Sequence, residues 1–355
     1  MSKNDAAKAQ HDIIGVNETE SKNFNVNSHP DAQWFSHGNL GLFLHWGICT
    51  VHGDIDLSWG MMANKPYELL RGYNKFISPN EYFALSKKFM PDNFNIRHTL
   101  KLAKEAGFTY AVFTTKHHDG FALWPSKYGE FNVGKSVAKT DFVKEFTDAC
   151  RENSLKVGLY YSPPDWHFFK DYMSFNYLSH MSADDYKELD HSPYDTDHKP
   201  AVIGEPPESL INEHSLYVKN QITELLTDYG RVDMLWFDGA NGYECISVDD
   251  IRKMQPWILI NPRLHKQGDF KTFECRMPGE KPEGLWEHED IWADGPWWAD
   301  MKGIKYKSAQ WAYDRFLSVK EMGGNFLLNI GLKSDGSMPE DAEKRMYELK
   351  KLIQA

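Results

Sequence analysis

The sequence is poor in several features that would each have pointed to a function. Its four cysteines, Cys49, Cys150, Cys245 and Cys275, are scattered over 355 residues with no CxxC pair. That spacing excludes a zinc knuckle and a dense disulfide framework. No stretch reaches the run of about eighteen apolar residues that a membrane-spanning helix needs. Basic residues are in deficit: 40 Lys and Arg against 51 Asp and Glu give a formal charge of −11. A nucleic-acid partner or an anionic membrane surface is therefore not expected, since both call for a basic patch. No G-x-G-x-x-G follows an apolar run, no H-E-x-x-H occurs, and no repeat or low-complexity linker divides the chain. The N-terminus also lacks the apolar core of a signal peptide, so residues 1–30 are expected to be a polar, mobile tail. The compartment stays open: periplasmic or secreted if a signal peptide has been removed, cytoplasmic otherwise. The sequon Asn17-Glu18-Thr19 is too short a pattern to carry weight.

Aromatic residues, in contrast, are plentiful at 14%, with 12 Trp, and binding of carbohydrate or another flat ligand is one reason for such an excess. Short apolar runs recur at 40–47, 110–118, 155–166, 232–240, 257–263 and 324–331. Their near-continuous hydrophobicity suits parallel strands covered on both faces. Segments of helical period lie between them at 79–89, 95–107, 141–154, 215–230 and 340–353, with Gly107 and Gly230 where a helix C-cap would fall. This alternation predicts an α/β protein. Without a dinucleotide fingerprint, a closed (β/α)8 barrel, somewhat irregular, is preferred over an open sheet. The whole of 31–355 is expected to form that one domain. Two long segments, 163–214 and 267–305, have no simple strand or helix reading.

A barrel places its chemistry at the C-terminal ends of its strands. The runs end in His45-Trp46-Gly47, in Lys116-His117-His118-Asp119-Gly120, in Tyr160-Tyr161 followed by Asp165-Trp166, in Asp238-Gly239 and in Asn261-Pro262-Arg263. One polar residue at a strand end is usually a cap or a loop hydrogen-bonder; five such ends in agreement suggest a site. His45, His117 and His118 could supply three ligands to zinc. However, neighbours on a strand face opposite ways, so His117 and His118 could share a ligand only if the strand has ended before them. No metal and no cofactor is expected. As sugar binders, the neutral imidazoles would meet hydroxyl groups while Trp46, Trp59 and Trp124 offered apolar faces. Asp238, at the tip of an apolar strand beside a glycine, is then the natural nucleophile, with a helix N-cap as its plainer role.

The blocks HWG (45–47), TTKHHDGFALWPSKY (114–128), GLYYSPPDW (158–166), LWFDGA (235–240) and GNFLLNIGLKSDGSMP (324–339) resemble, in the same order, those of the α-L-fucosidases of glycoside hydrolase family 29. The resemblance runs from about residue 33 to the C-terminus. It implies a retaining exo-glycosidase on an irregular (β/α)8 barrel that removes terminal α-L-fucosyl residues from an oligosaccharide or polysaccharide through a covalent intermediate. Asp238 matches the family's nucleophile. His45, His117 and His118 match its sugar-binding histidines, Tyr161 and Arg263 match further pocket positions, and Trp59 matches an active-site tryptophan. For the acid/base, Glu274 in GDFKTFEC is the first choice and Glu287, in the pair Trp286-Glu287, the alternative; Trp286 is carried as a substrate-binding residue with it.

The chain also departs from the family pattern. Ser58-Trp59-Gly60 stands where Glu-Trp-Tyr is common, and HEDIWADGPWWAD (288–300) replaces the usual segment after Trp286-Glu287. Covering the fucose methyl group yields only about 1–3 kcal/mol of discrimination, so an α-L-galactosidase on the same scaffold is the nearest alternative activity. A catalytically impaired sugar-binding relative is another, and a metal hydrolase or a purely structural protein fits less well. Many relatives carry a β-sandwich after the barrel; with the chain stopping at Ala355, the expectation is a barrel without one, or a piece of a longer protein. A homo-oligomer is left open.

Overall fold

The computed structural model describes residues 10–16, 26–36, 38–69, 75–182, 184, 186–240, 245–265 and 268–355. The sequon at Asn17 lies outside them. Eight parallel strands run β1 (Leu40–His45), β2 (Tyr110–Lys116), β3 (Lys156–Tyr161), β4 (Met234–Phe237), β5 (Leu259–Ile260), β6 (Lys271–Glu274), β7 (Trp286–Ile291) and β8 (Asn325–Gly331). They pair in the order β5-β4-β3-β2-β1-β8-β7-β6 as one curled sheet. Besides the short turn at 10–13, α-helices among the described residues are α1 (Pro66–Leu69), α2 (Pro79–Ala84), α3 (Ile96–Glu105), α4 (Phe142–Glu152), α5 (Glu208–Thr227), α6 (Val248–Met254), α7 (Ala309–Glu321) and α8 (Glu340–Gln354). Gly107 and Gly230 lie at φ +88 and +67, as helix-ending glycines should. Among the described residues there is no second sheet.

Alternation along each strand sorts its residues into two layers. Phe43, Tyr110, Val112, Tyr160, Met234, Trp236, Leu259 and Leu327 fill the barrel interior, while Leu42, Leu44, Ala111, Phe113, Leu159 and Phe237 pack outward in the core beneath the helices. A 3₁₀ helix, Pro30–Ser36, plugs the N-terminal end of the barrel. Its Phe35 sits 4.6 Å from the Phe270 ring and 6.0 Å from Tyr110.

β5 and β6 share no strand ladder, and Asp269 joins them. Its backbone N–H donates to Ile260 O at 2.7 Å, and its carboxylate Oδ2 accepts from Ile260 N–H at 2.7 Å in place of a neighbouring carbonyl. The other oxygen accepts from Asn27 N–H (2.6 Å) and from the Arg252 guanidinium (2.9 Å), so each carboxylate oxygen at the seam is engaged. This satisfies backbone groups that the missing ladder would otherwise leave unpaired in the interior.

Two expectations change. β6 and β7 lie within 267–305, which the sequence left without strands, because KTFE and WEHEDI carry charge where the other strands are apolar. The N-terminal tail is not loose throughout: residues 10–16 form a helical turn with Ile14 and Val16 buried, and Asn27 is buried at the seam.

Candidate active site

His45, His117, Asp238, Arg263 and Glu274, expected from the strand ends and the segment after them, meet at the C-terminal end of the barrel. Asp238 directly follows β4, its N–H bound to Tyr161 O at 3.0 Å. One carboxylate oxygen accepts from Arg263 Nη1 at 2.7 Å and the other from the Tyr160 hydroxyl at 2.6 Å. Burial pushes the Asp238 carboxyl up, but Arg263, His118 and the Tyr160 hydrogen bond outweigh it and hold the group below the usual carboxylate range.

Arg263 is held in turn by its neighbours. Just beyond β5, Asn261 pairs with β4 through its side chain, accepting from Phe237 N–H and donating to Phe237 O, both at 2.8 Å. The guanidinium then lies over the Trp236 ring at 4.7 Å and reaches past Asp238 to Glu274, with Nη2 2.7 Å from Oε2. Glu274 ends β6; burial raises its carboxyl, and Arg263 and His11 lower it further, to well below the ordinary range. One guanidinium thus joins two carboxylates from different strands, a planar fork matched to carboxylate geometry.

The histidines complete the wall. β2 ends at Lys116 after a register shift between Thr114 and Lys116, so the next two residues are free of strand alternation, and the His117 and His118 rings lie 4.1 Å apart. Hydroxyl groups orient both: Ser58 Oγ at 2.6 Å from His117 Nδ1 and Ser162 Oγ at 2.6 Å from His118 Nδ1. His45, closing β1, pairs with Asn329 of β8 at 2.7 Å. Burial lowers all three imidazoles, His45 and His118 to about 4, so they are neutral near pH 7 and can each donate and accept. His118 Nε2 lies 3.6 Å from Asp238 Oδ2 with no hydrogen-bond partner among the described residues. His117, His118 and Asp238 bring one donor atom each within 4.8 Å of one another, a set that could hold a metal ion. Arg263 already binds that carboxylate, which sets a competing positive charge beside any cation there.

His45, His117, Tyr160, Asp238, Arg263 and Glu274 line a cavity of about 430 Å³, open mouth included, with Phe43, Leu57, Trp59, Trp236 and Trp298 as its apolar surfaces and His118 just behind Asp238. Trp59 comes from the 3₁₀ helix Leu57–Met61.

Other expected residues lie elsewhere. Tyr161 points outward, its hydroxyl donating to Gln221 of α5 at 2.8 Å; strand alternation gives the pocket Tyr160 instead. Trp46 stacks on Phe94 in the outer core and donates to Lys333 O, and Trp124 donates to Glu224 of α5. Trp286 packs outward against Phe273 and over Gly324.

Glu287 also lies outside the cavity, inside the barrel below it, where it accepts hydrogen bonds from the Tyr110 hydroxyl and from Trp236 Nε1 (3.1 Å). Burial pushes it up to about 7. Two positions on, Glu289 shares its inward direction but reaches the cavity, fully buried and opposite Glu274 in the β6–β7 register.

Sequence reasoning missed Glu289, Asn329 and Trp298, and marked Tyr160 at its strand end without giving it a role in the site. It also read Ser58 only as the loss of a carboxylate. The strand alternation that places Tyr160 and Glu289 was available once β3 and β7 were aligned with their neighbours.

The α-L-fucosidase family model matches residues 6–355. The chain belongs to this family. Tissue α-L-fucosidase of Mus musculus is 23% identical over 93% of the chain and 71% of that protein. Curated relatives matched over nine-tenths of this chain include some of which it spans only about two thirds (66% and 68%). Among solved structures, α-L-fucosidase isoenzyme 1 from Paenibacillus thiaminolyticus superposes with a TM-score of 0.72 at 28% identity, covering 92% of this chain and 76% of that one. The Thermotoga maritima α-fucosidase in complex with fucose gives 0.68 at 26% identity, covering 91% and 73%. These relatives and structural neighbours are α-L-fucosidases, which are glycoside hydrolases, and the structural neighbours share this fold.

Proposed function

We propose that the protein is a retaining, exo-acting α-L-fucosidase that releases terminal α-L-fucosyl residues from a fucosylated oligosaccharide or polysaccharide. The observation that carries the reading is the Asp238–Arg263–Glu274 bridge. Two carboxylates one guanidinium apart at a barrel mouth suit a retaining pair, whose separation is roughly 5–5.5 Å.

In this reading an Asp238 oxygen attacks the anomeric carbon while the acid/base protonates the departing glycosidic oxygen, leaving a glycosyl ester on Asp238. Water then attacks the same carbon, gives its proton to the acid/base and frees Asp238. Arg263 and Tyr160 keep Asp238 ionised for the first step. His45, His117 and His118 hold the sugar hydroxyls, and the aromatic walls take its apolar face.

Glu274 is the first assignment for the acid/base. One observation favours a second: Arg263 keeps Glu274 ionised, and Glu289, the register partner of Glu274 on the next strand, lines the same cavity. Hydrolysis of an aryl α-L-fucoside by wild type, Asp238→Ala, Glu274→Gln and Glu289→Gln, with and without azide, decides both roles. Asp238→Ala should lose activity on the order of 10⁴-fold. The true acid/base is the glutamine variant that fails with poor leaving groups and is rescued by azide. Faster cleavage of an aryl α-L-galactoside than of the fucoside would move the assignment to the galactosidase.

A further inference from the structure

The segment that was expected to be a loose tail sits on the mouth of the pocket. Residues 10–13 make one helical turn, closed by Val16 N–H to His11 O at 2.8 Å and Gly15 N–H to Asp12 O at 3.2 Å, with Gly15 at φ +71. This pair of bonds is the Schellman ending, which requires a left-handed residue at the position just before its last, here Gly15, and so favours glycine there. Gln10, His11 and Ile14 line the cavity together with Asp238 and Glu274.

The contact between this turn and the loop after β4 is built from both sides. Ala240 N–H donates to Ile14 O at 2.8 Å. A Cβ on Gly15 would lie 2.4 Å from Ala240 O, and a Cβ on Gly239, at φ +88, would lie 2.5 Å from Ile14 O. Two glycines on separate segments therefore let two backbones meet immediately beside the nucleophile. On the opposite side His11 Nε2 lies 3.7 Å from Glu274 Oε2. Ile14 is 2% exposed, so the turn is seated in the protein and not draped over it.

We propose that residues 10–16 form the leaving-group wall of the site and set the size of aglycone it accepts. The inference rests on the fucosidase reading. If Glu274 or its strand neighbour Glu289 protonates the leaving oxygen, the aglycone must pass out beside that side chain, where Gln10, His11 and Ile14 stand. A small aglycone fits past them, and a large one meets the turn.

The test compares kcat/KM for an aryl α-L-fucoside with that for a fucosylated oligosaccharide in wild type, Gly15→Val and His11→Ala. Gly15→Val adds a Cβ where none fits and a side chain that resists a positive φ, so it unseats the turn. Amide exchange should show Ala240 N–H protected in wild type and exchanging in this variant. Expected is a rise of about tenfold or more in the oligosaccharide-to-aryl ratio for Gly15→Val, and a smaller rise for His11→Ala. Should Gly15→Val fail to fold, His11→Ala, which keeps the backbone contacts, gives the same reading. An unchanged ratio, or equal acceleration of both substrates, overturns the inference while leaving the fucosidase reading intact. Wild type that cleaves neither fucoside overturns both.

Discussion

The mouth and the floor of this barrel hold carboxyl groups in opposite states. At the mouth, Asp238 and Glu274 share Arg263, and its charge keeps both below the ordinary carboxylate range despite burial. At the floor, Glu287 receives its hydrogen bonds from neutral donors, Tyr110 and Trp236, and burial raises it to about 7. Glu274 and Glu287 stand on adjacent strands, offset by two positions in register, with Thr272 opposite Glu287. The same residue type thus becomes a candidate reactive group or a structural acid according to depth and to whether its partner carries charge.

Removing the shared cation should erase that contrast most completely. In Arg263→Ala, two carboxylates would face each other unscreened, and kcat/KM for an aryl α-L-fucoside should fall on the order of 10³-fold. A loss of only a few-fold would mean that the bridge does not organise the site.

Exchanging the two glutamates one at a time sharpens the comparison. Glu274→Gln should lose about 10²- to 10⁴-fold in turnover of substrates with poor leaving groups, the usual contribution of general acid–base catalysis. Glu287→Gln should keep turnover within about tenfold but lose roughly 1–3 kcal/mol of stability in denaturant unfolding, because one of its two donors loses an acceptor. Equal catalytic losses in the two variants would break the comparison.

The pH dependence of stability should run in opposite directions at the two levels. Folded Glu287 retains its proton between about 4.5 and about 7, where the unfolded chain releases it, so its stabilising contribution declines as pH rises through that window. Asp238 and Glu274, lowered by folding, contribute fully above their ordinary values of 3.8 and 4.5 and lose that contribution as pH falls. Urea unfolding of wild type and Glu287→Gln between pH 4.5 and 7.5 reads this directly. The stability difference should shrink with rising pH and level off above about 7; a difference that grows with pH contradicts the assignment.

The smallest effect expected is across one peptide bond. Tyr160→Phe removes a hydrogen bond to Asp238 and should lower kcat/KM about tenfold, whereas Tyr161→Phe loses only its bond to Gln221, about 1 kcal/mol of stability, with turnover unchanged. Steady-state kinetics and thermal unfolding of the pair check this.

Much of this arrangement could be read from the residues. β1 to β5 and β8 stand inside the apolar runs marked out at the start, and those runs end in the histidines, Asp238 and Arg263 that meet at the mouth. β7 could not be read that way. Its inward residues, Glu287 and Glu289, are polar because they face the barrel's own hydrogen-bond donors and cavity. Its outward Asp290 is polar because Lys307 and Arg315 lie 3.8 Å away. A strand polar on both faces has neither an apolar run nor an alternating pattern to announce it. Trp46, Trp124 and Tyr161 were misplaced for a different reason: residue type suggested a sugar-binding face, but strand parity and loop packing turned each toward the helices. The docked turn at 10–16 is short, and its seating depends on two glycines far apart in sequence.

The central claim is that Asp238 forms a covalent bond to the sugar. The direct measurement is intact and peptide mass spectrometry of this protein after incubation with 2-fluoro-fucosyl fluoride. One fluorofucosyl group per chain, on the peptide containing Asp238 and absent in Asp238→Ala, is the result expected. A label on another carboxylate, or active enzyme that turns over fucosides yet never accumulates the adduct, would contradict it.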